Sequence, residues 1–137
     1  MGLKWGEYLS VGNDVIDTDH KYFIEIVNRV ENGLALKDHG EMMKQLNGLS
    51  QYAVKHFEVE EKIAGAVGYS QVPGLHDSHQ ALLDKVIQVG KDLKEEWTSS
   101  SEHGFTTLLR EWVLHVIKED MLIKPFFMKY SPKFDPR

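Results

Sequence analysis

The sequence predicts an all-α fold, an antiparallel up-down-up-down four-helix bundle with an irregular N-terminal arm. Three observations predict it. Polar breaks at "LKDHG", "GYSQVPG" and "TSSSEHG" cut the chain into four segments of helical length. Within each segment apolar residues recur at alternating spacings of three and four, which puts them on one helix face. The breaks are short, which favours antiparallel neighbours packed around a shared core. No strand-like alternation interrupts the pattern.

Taken in order, "MGLKWGEYLS" and the residues up to 17 read as an irregular arm. The first helix carries Ile16, Phe23, Val27, Val30 and Leu34 on its stripe. The second carries Leu46, Leu49, Ala53, Ile63 and Val67, and begins at a capping-box spacing, Asp38 with Glu41 three residues on. The third carries Leu75, Leu82, Val86, Val89 and Leu93. The fourth carries Phe105, Leu108, Trp112 and Leu122, with Ser99 and Glu102 at the same capping spacing. Pro125 and the tail "YSPKFDPR" read as a helix stop followed by irregular chain. The expected organisation is one domain over 1–137: an arm over 1–17, a bundle over 18–125 and a tail over 126–137.

Composition narrows the function. A formal charge of -5 and a pI near 5.8, with Lys and Arg scattered among acids, argue against a nucleic-acid surface. There are no cysteines, so disulfides, iron–sulfur clusters and thiolate metal sites are excluded, and any metal must be held by imidazole and carboxylate. The N-terminus lacks the pattern of a signal peptide, and no apolar run approaches the ~18 residues that span a bilayer. The expected setting is cytoplasmic, with no membrane partner.

The informative residues are the polar ones that interrupt the apolar stripes. His20 falls on the series 16, 20, 23, 27. His56 and Glu60 fall on 46, 49, 53, 56, 60, 63, 67. His79 falls on 75, 79, 82, 86, and His115 on 105, 108, 112, 115, 119, 122. Every helix thus turns an imidazole inward. A single such histidine is ordinarily satisfied by a carbonyl, but burying four imidazoles and a carboxylate without a shared partner costs about 1 to 3 kcal/mol each. A metal satisfies all of them, and a carboxylate among this many imidazoles suits two bridged irons or manganese better than one four-coordinate zinc. His76 sits about 100° from Leu75 and off the stripe. In "HVIKED", Glu119 is four residues after His115, whereas Asp120 is five after and about 140° away, so spacing alone selects Glu119. Glu58, Glu61, Glu95 and Glu96 read as solvated faces, His39 and His103 as loop residues, and Trp97 as a packing aromatic.

With these residues in place, nearly the whole chain resembles the hemerythrin family in its single-domain bacterial branch. Trp5, "SVGNDVIDTDH" ending at His20, "HFEVEE" with His56 and Glu60, "GYSQVPG", His79 and "HVIKED" carry the resemblance. It implies two oxo- or hydroxo-bridged irons, with His20 and His56 on one, His79 and His115 on the other, and Glu60 and Asp120 as bridges. That prefers Asp120 to Glu119, a conflict a π-bulge would reconcile. One position departs from the family, whose third helix carries two histidines four apart: here the first is Leu75. His76 and Glu119 stand as alternative ligands, His76 only if the start of the third helix is distorted near Pro73 and Gly74.

What the resemblance implies is reversible dioxygen binding for storage, delivery or sensing, with dioxygen or another small molecule as ligand and no catalytic residue. Phe23, Ile63, Leu75, Trp112 and Val116 are the expected lining of a dry pocket. The reading is a binding protein rather than an enzyme. The alternative left open is a di-iron peroxidase or oxidase using the extra open position beside Leu75, or a metal store.

Overall fold

The computed structural model describes the backbone of residues 3–137 and their side chains except at positions 99–101 and 104. Among the described residues the chain is helical, with no strand: a 3-10 turn at Glu7–Leu9, then α1 (Asp14–Ala35), α2 (His39–Ala66), α3 (Val72–Glu95), α4 (Ser99–Asp120) and a short α5 (Lys124–Phe127). Helix α1 packs against α2 and α4, α2 against α3, and α3 against α4, which closes the four into a bundle.

Local chemistry sets the ends. The Asn13 side chain caps α1 by accepting from the backbone N–H groups of Val15 and Ile16, and Asp38 caps α2 by accepting from Glu41 N–H at 3.1 Å, at the capping spacing noted above. Helix α1 therefore starts inside the stretch expected to be arm. Helix α2 ends at Ala66, and Gly68 just beyond its C-cap takes a φ of 88° in the left-handed region, with Tyr69 N–H donating back to Ala64 C=O at 3.0 Å. The Ser99 side chain, expected to cap α4, lies outside the described residues.

Pro125 does not stop α4. That helix ends at Asp120, and Pro125 sits in the first turn of α5, where its missing N–H has no helical partner to lose. The arm and tail are tied down. Leu3 and Asn28 exchange two hydrogen bonds of 2.9 and 2.8 Å, and Asn13 and Asp14 donate to the carbonyls of Phe134 and Pro132.

The expected faces of α1, α2 and α3 are the buried ones. The fourth is rotated. Buried positions on α4 are Phe105, Leu109, Trp112, Val113, Val116, Ile117 and Asp120, whereas Leu108 is half-buried and Leu122, beyond the helix end, is 66% exposed. Apolar residues lie on several faces of α4, so its sequence offers more than one stripe; packing against α1 and α3 selects the one that continues through Asp120.

The interior divides into two apolar clusters. One holds Phe23, Phe57, Leu82 and Ile117, the other Ile16, Ile63, Leu75 and Ile123. On every helix of the bundle a polar residue separates them: His20 between Ile16 and Phe23, Glu60 between Phe57 and Ile63, His79 between Leu75 and Leu82, and Asp120 between Ile117 and Ile123.

Candidate metal centre

This polar layer is the candidate site. His20, His56, Glu60 and Asp120 are each at most 2% exposed and offer one ligand atom apiece, all within 4.8 Å of one another. Burial of four ionisable groups is costly unless each polar atom is satisfied, and here several are not. Among the described residues, His20 Nδ1, His56 Nε2, both Glu60 oxygens and Asp120 Oδ1 have no hydrogen-bond partner. His56 Nε2 lies 2.9 Å from Glu60 Oε2 but without hydrogen-bonding geometry. His20 Nε2 pairs with Asp120 Oδ2 at 2.7 Å. Buried imidazole nitrogens and carboxylate oxygens within 4.8 Å of one another, several of them without a partner, are the donor set of a borderline or hard transition-metal ion, and these four residues fit one such ion.

The imidazoles are oriented from outside. His56 Nδ1 pairs with Asp19 Oδ2 at 2.8 Å, and Asp19 also accepts from the Tyr52 hydroxyl. His79 Nδ1 pairs with Glu61 Oε2 at 3.0 Å, which leaves Nε2 toward the centre, 3.5 Å from Glu60 Oε1. The other Glu61 oxygen takes His76 Nδ1 at 2.6 Å. Carboxylates on the far nitrogen fix the tautomer and raise ligand basicity.

Electrostatics follow from this arrangement. Burial, then the charge on His56, pushes His20 down to about 3, so its imidazole is neutral. Burial also works against a charge on His56, but the Asp19 hydrogen bond and the Glu60 carboxylate outweigh it and raise His56 to about 9. Burial and the charge of Glu60 hold Asp120 well above the usual carboxylate range. Glu60 is itself held low, because Asp120, His56 and His79 outweigh its burial.

Aromatic rings complete the shell. Phe23 meets His56 edge-on at 5.0 Å and Trp112 at 5.6 Å, and Phe57 stacks on His79 at 4.0 Å. Phe23, Ile63, Leu75, Trp112 and Val116 are all buried, and Trp112 Nε1 is satisfied by Leu82 C=O at 2.9 Å.

The expected residues do not all converge. Asp120 does, with no π turn: α4 is α-helical through it, and Asp120 lies four residues after the buried Val116. The conflict with Glu119 came from reading the wrong stripe. His115 does not converge. Its side chain is 61% exposed, with Nε2 3.2 Å from Glu119 Oε2, because position 115 lies about 140° from Asp120 around α4. Glu119 itself accepts from Ser78 Oγ at 2.6 Å. His76 is half exposed, bound to Glu61 and outside the four-residue group, and Leu75 is apolar core.

Sequence reading missed Asp19, Tyr52 and Phe57, and took Glu61 for a solvated residue although its side chain is only 18% exposed. An acid immediately preceding an inward histidine, in "DH", and one immediately following an inward glutamate, in "EE", were the available signals.

The chain is similar to known proteins over most of its length. The hemerythrin HHE cation binding domain matches residues 11–127. A bacteriohemerythrin of Methylococcus capsulatus is 30% identical over 113 residues, covering 80% of this chain and 83% of the relative. A bacteriohemerythrin of Pseudomonas aeruginosa is 26% identical, covering 86% and 76%, and a hemerythrin-like protein of Naegleria gruberi is 27% identical, covering 89% and 91%. With the matched region spanning all four bundle helices and every member of the buried donor group, the chain belongs to the hemerythrin family.

Proposed function

We propose that this protein binds dioxygen reversibly at a non-haem iron centre of two ions, for storage, delivery or sensing. The observation that carries the reading is the buried group of His20, His56, Glu60 and Asp120, with ligand atoms within 4.8 Å of one another and several polar atoms unsatisfied, inside an aromatic shell. Iron would supply the electrons that dioxygen borrows on binding and returns on release. His20, His56, Glu60 and Asp120 would hold one ion, and His79, whose Nε2 lies 3.5 Å from Glu60 Oε1, would hold the second.

The chain's own contribution is orientation and dryness. Asp19 and Glu61 hold the imidazoles of His56 and His79, and Phe23, Phe57 and Trp112 keep water from the donor atoms. The lack of cysteine, and of any helix among the described residues long and apolar enough to cross a membrane, fits a cytoplasmic setting.

Anaerobic loading with Fe2+ followed by air tests the reading. The expected result is a set of oxo-bridged di-iron absorption bands that reverse under vacuum. Irreversible oxidation with turnover of an added peroxide would instead support the peroxidase or oxidase alternative.

A further inference from the structure

The geometry points to two unequal metal positions: one closed by four protein donors and filled first, and a second, beside His79, that is under-supplied. This rests on the iron reading above and deepens it by specifying how the ions load.

The first position has four donors from three helices. His20, His56, Glu60 and Asp120 come from α1, α2 and α4, and their ligand atoms lie within 4.8 Å of one another. The second has one inward imidazole among the described residues, His79, with Nε2 3.5 Å from Glu60 Oε1. One turn before His79 on the same face stands Leu75, 4% exposed and packed with Ile63, Ile123 and Phe127, so this face supplies no donor there. His115 is at the surface against Glu119.

Leu75, His115 and Glu119 line one open cleft of about 610 Å³ together with Tyr69, Gln71 and Lys118. Neither His79 nor Glu60 lines this cleft, so His115 and Glu119, which do, stand away from the second position. Disturbing a mere supporting partner of a metal ligand lowers affinity about 10- to 100-fold. An absent ligand lowers it by at least the upper end of that range.

The test is an anaerobic titration of the metal-free full chain with Co2+, read by visible d–d absorbance and by competition with a chelator, then repeated with Fe2+. We expect one tight equivalent and a second that is at least about 100-fold weaker. Leu75→His should tighten the second by about tenfold or more, with a new imidazole-dependent change in the Co2+ spectrum. His115→Ala should leave the tight equivalent within about threefold, as for a surface replacement. Two equivalents of indistinguishable affinity would overturn the inference and leave the di-iron reading standing. So would a Leu75→His protein, folded by circular dichroism, whose second equivalent is unchanged. Absence of any tight equivalent would overturn the iron reading itself.

Discussion

Replacing Asp120 by asparagine separates the fold from the site, because the two respond in opposite directions. The carboxyl is 1% exposed, with Oδ2 2.7 Å from His20 Nε2 and Oδ1 unsatisfied. Burial and the charge of Glu60 raise its pKa well above the ordinary value of 3.8, so in metal-free protein the folded state keeps a proton that the unfolded chain has lost. An acid whose folded pKa is raised loses stability as pH climbs from its unfolded value toward its folded one. At neutral pH native Asp120 therefore destabilises the metal-free fold. Asparagine resembles the protonated acid in shape and has no proton to release, so metal-free Asp120→Asn should melt at the same temperature or higher. Metal binding should suffer, since the four-donor group loses one of its two carboxylates. A fall of at least about 100-fold is expected, or about 2.7 kcal/mol. Glu119→Ala is the control. Its carboxylate holds only Ser78 Oγ and the exposed His115, and its loss should cost no more than about 1 kcal/mol of stability and leave the tight metal equivalent unchanged. Chelator-competition dialysis with Co2+ measures the affinity, and thermal melts in EDTA measure the fold. Glu119→Ala losing metal while Asp120→Asn keeps it would refute the reasoning.

Phe57→Ala should destabilise the metal-free protein by about 3 to 5 kcal/mol in urea unfolding, because Phe57 is 2% exposed and stacks on His79; a loss under about 1 kcal/mol would show the ring is dispensable. His20 and His56 each add a pH slope of their own to metal-free stability, on top of the opposing slope of Asp120, and single variants separate them. His20, with a folded pKa of about 3, lets the unfolded chain take up a proton preferentially, so stability is lost as pH falls from 6.5 toward 3, with a slope near 1.4 kcal/mol per pH unit. His56, raised to about 9, contributes stability that is full below 6.5 and is lost as pH rises through 9. In EDTA melts compared with the native profile, His20→Gln should subtract a slope of about 1.4 kcal/mol per pH unit below pH 6.5, and His56→Gln should reduce the loss above 6.5, which His79, also raised, shares; difference profiles without these slopes would contradict the assignments. His76→Ala should shift stability by no more than about 1 kcal/mol and leave the tight metal equivalent in place, since the side chain is half exposed and reaches only Glu61; loss of an equivalent would make His76 a ligand.

The sequence by itself determined the helical bundle, the inward faces of α1, α2 and α3, and with them His20, His56, Glu60 and His79. On α2 every member of the series 46, 49, 53, 56, 60, 63, 67 is buried. A helix with one apolar stripe announces its inner face locally, and polar residues on that stripe stand out against it. Only the tertiary structure decided α4. Leu108, Leu114 and Leu122 compete there with Leu109, Val113 and Val116, and a helix apolar on several faces has no inner side until neighbours cover one. Their packing turned Asp120 inward and left His115 in solvent. The supporting carboxylates were likewise invisible to periodicity. Asp19 and Glu61 sit beside the stripes rather than on them, and each acquires its role from a histidine on another helix, 37 and 18 residues away in the chain. Spacing along one helix reports which side chains share a face; which atoms meet across the bundle is set by the packing of the helices against one another.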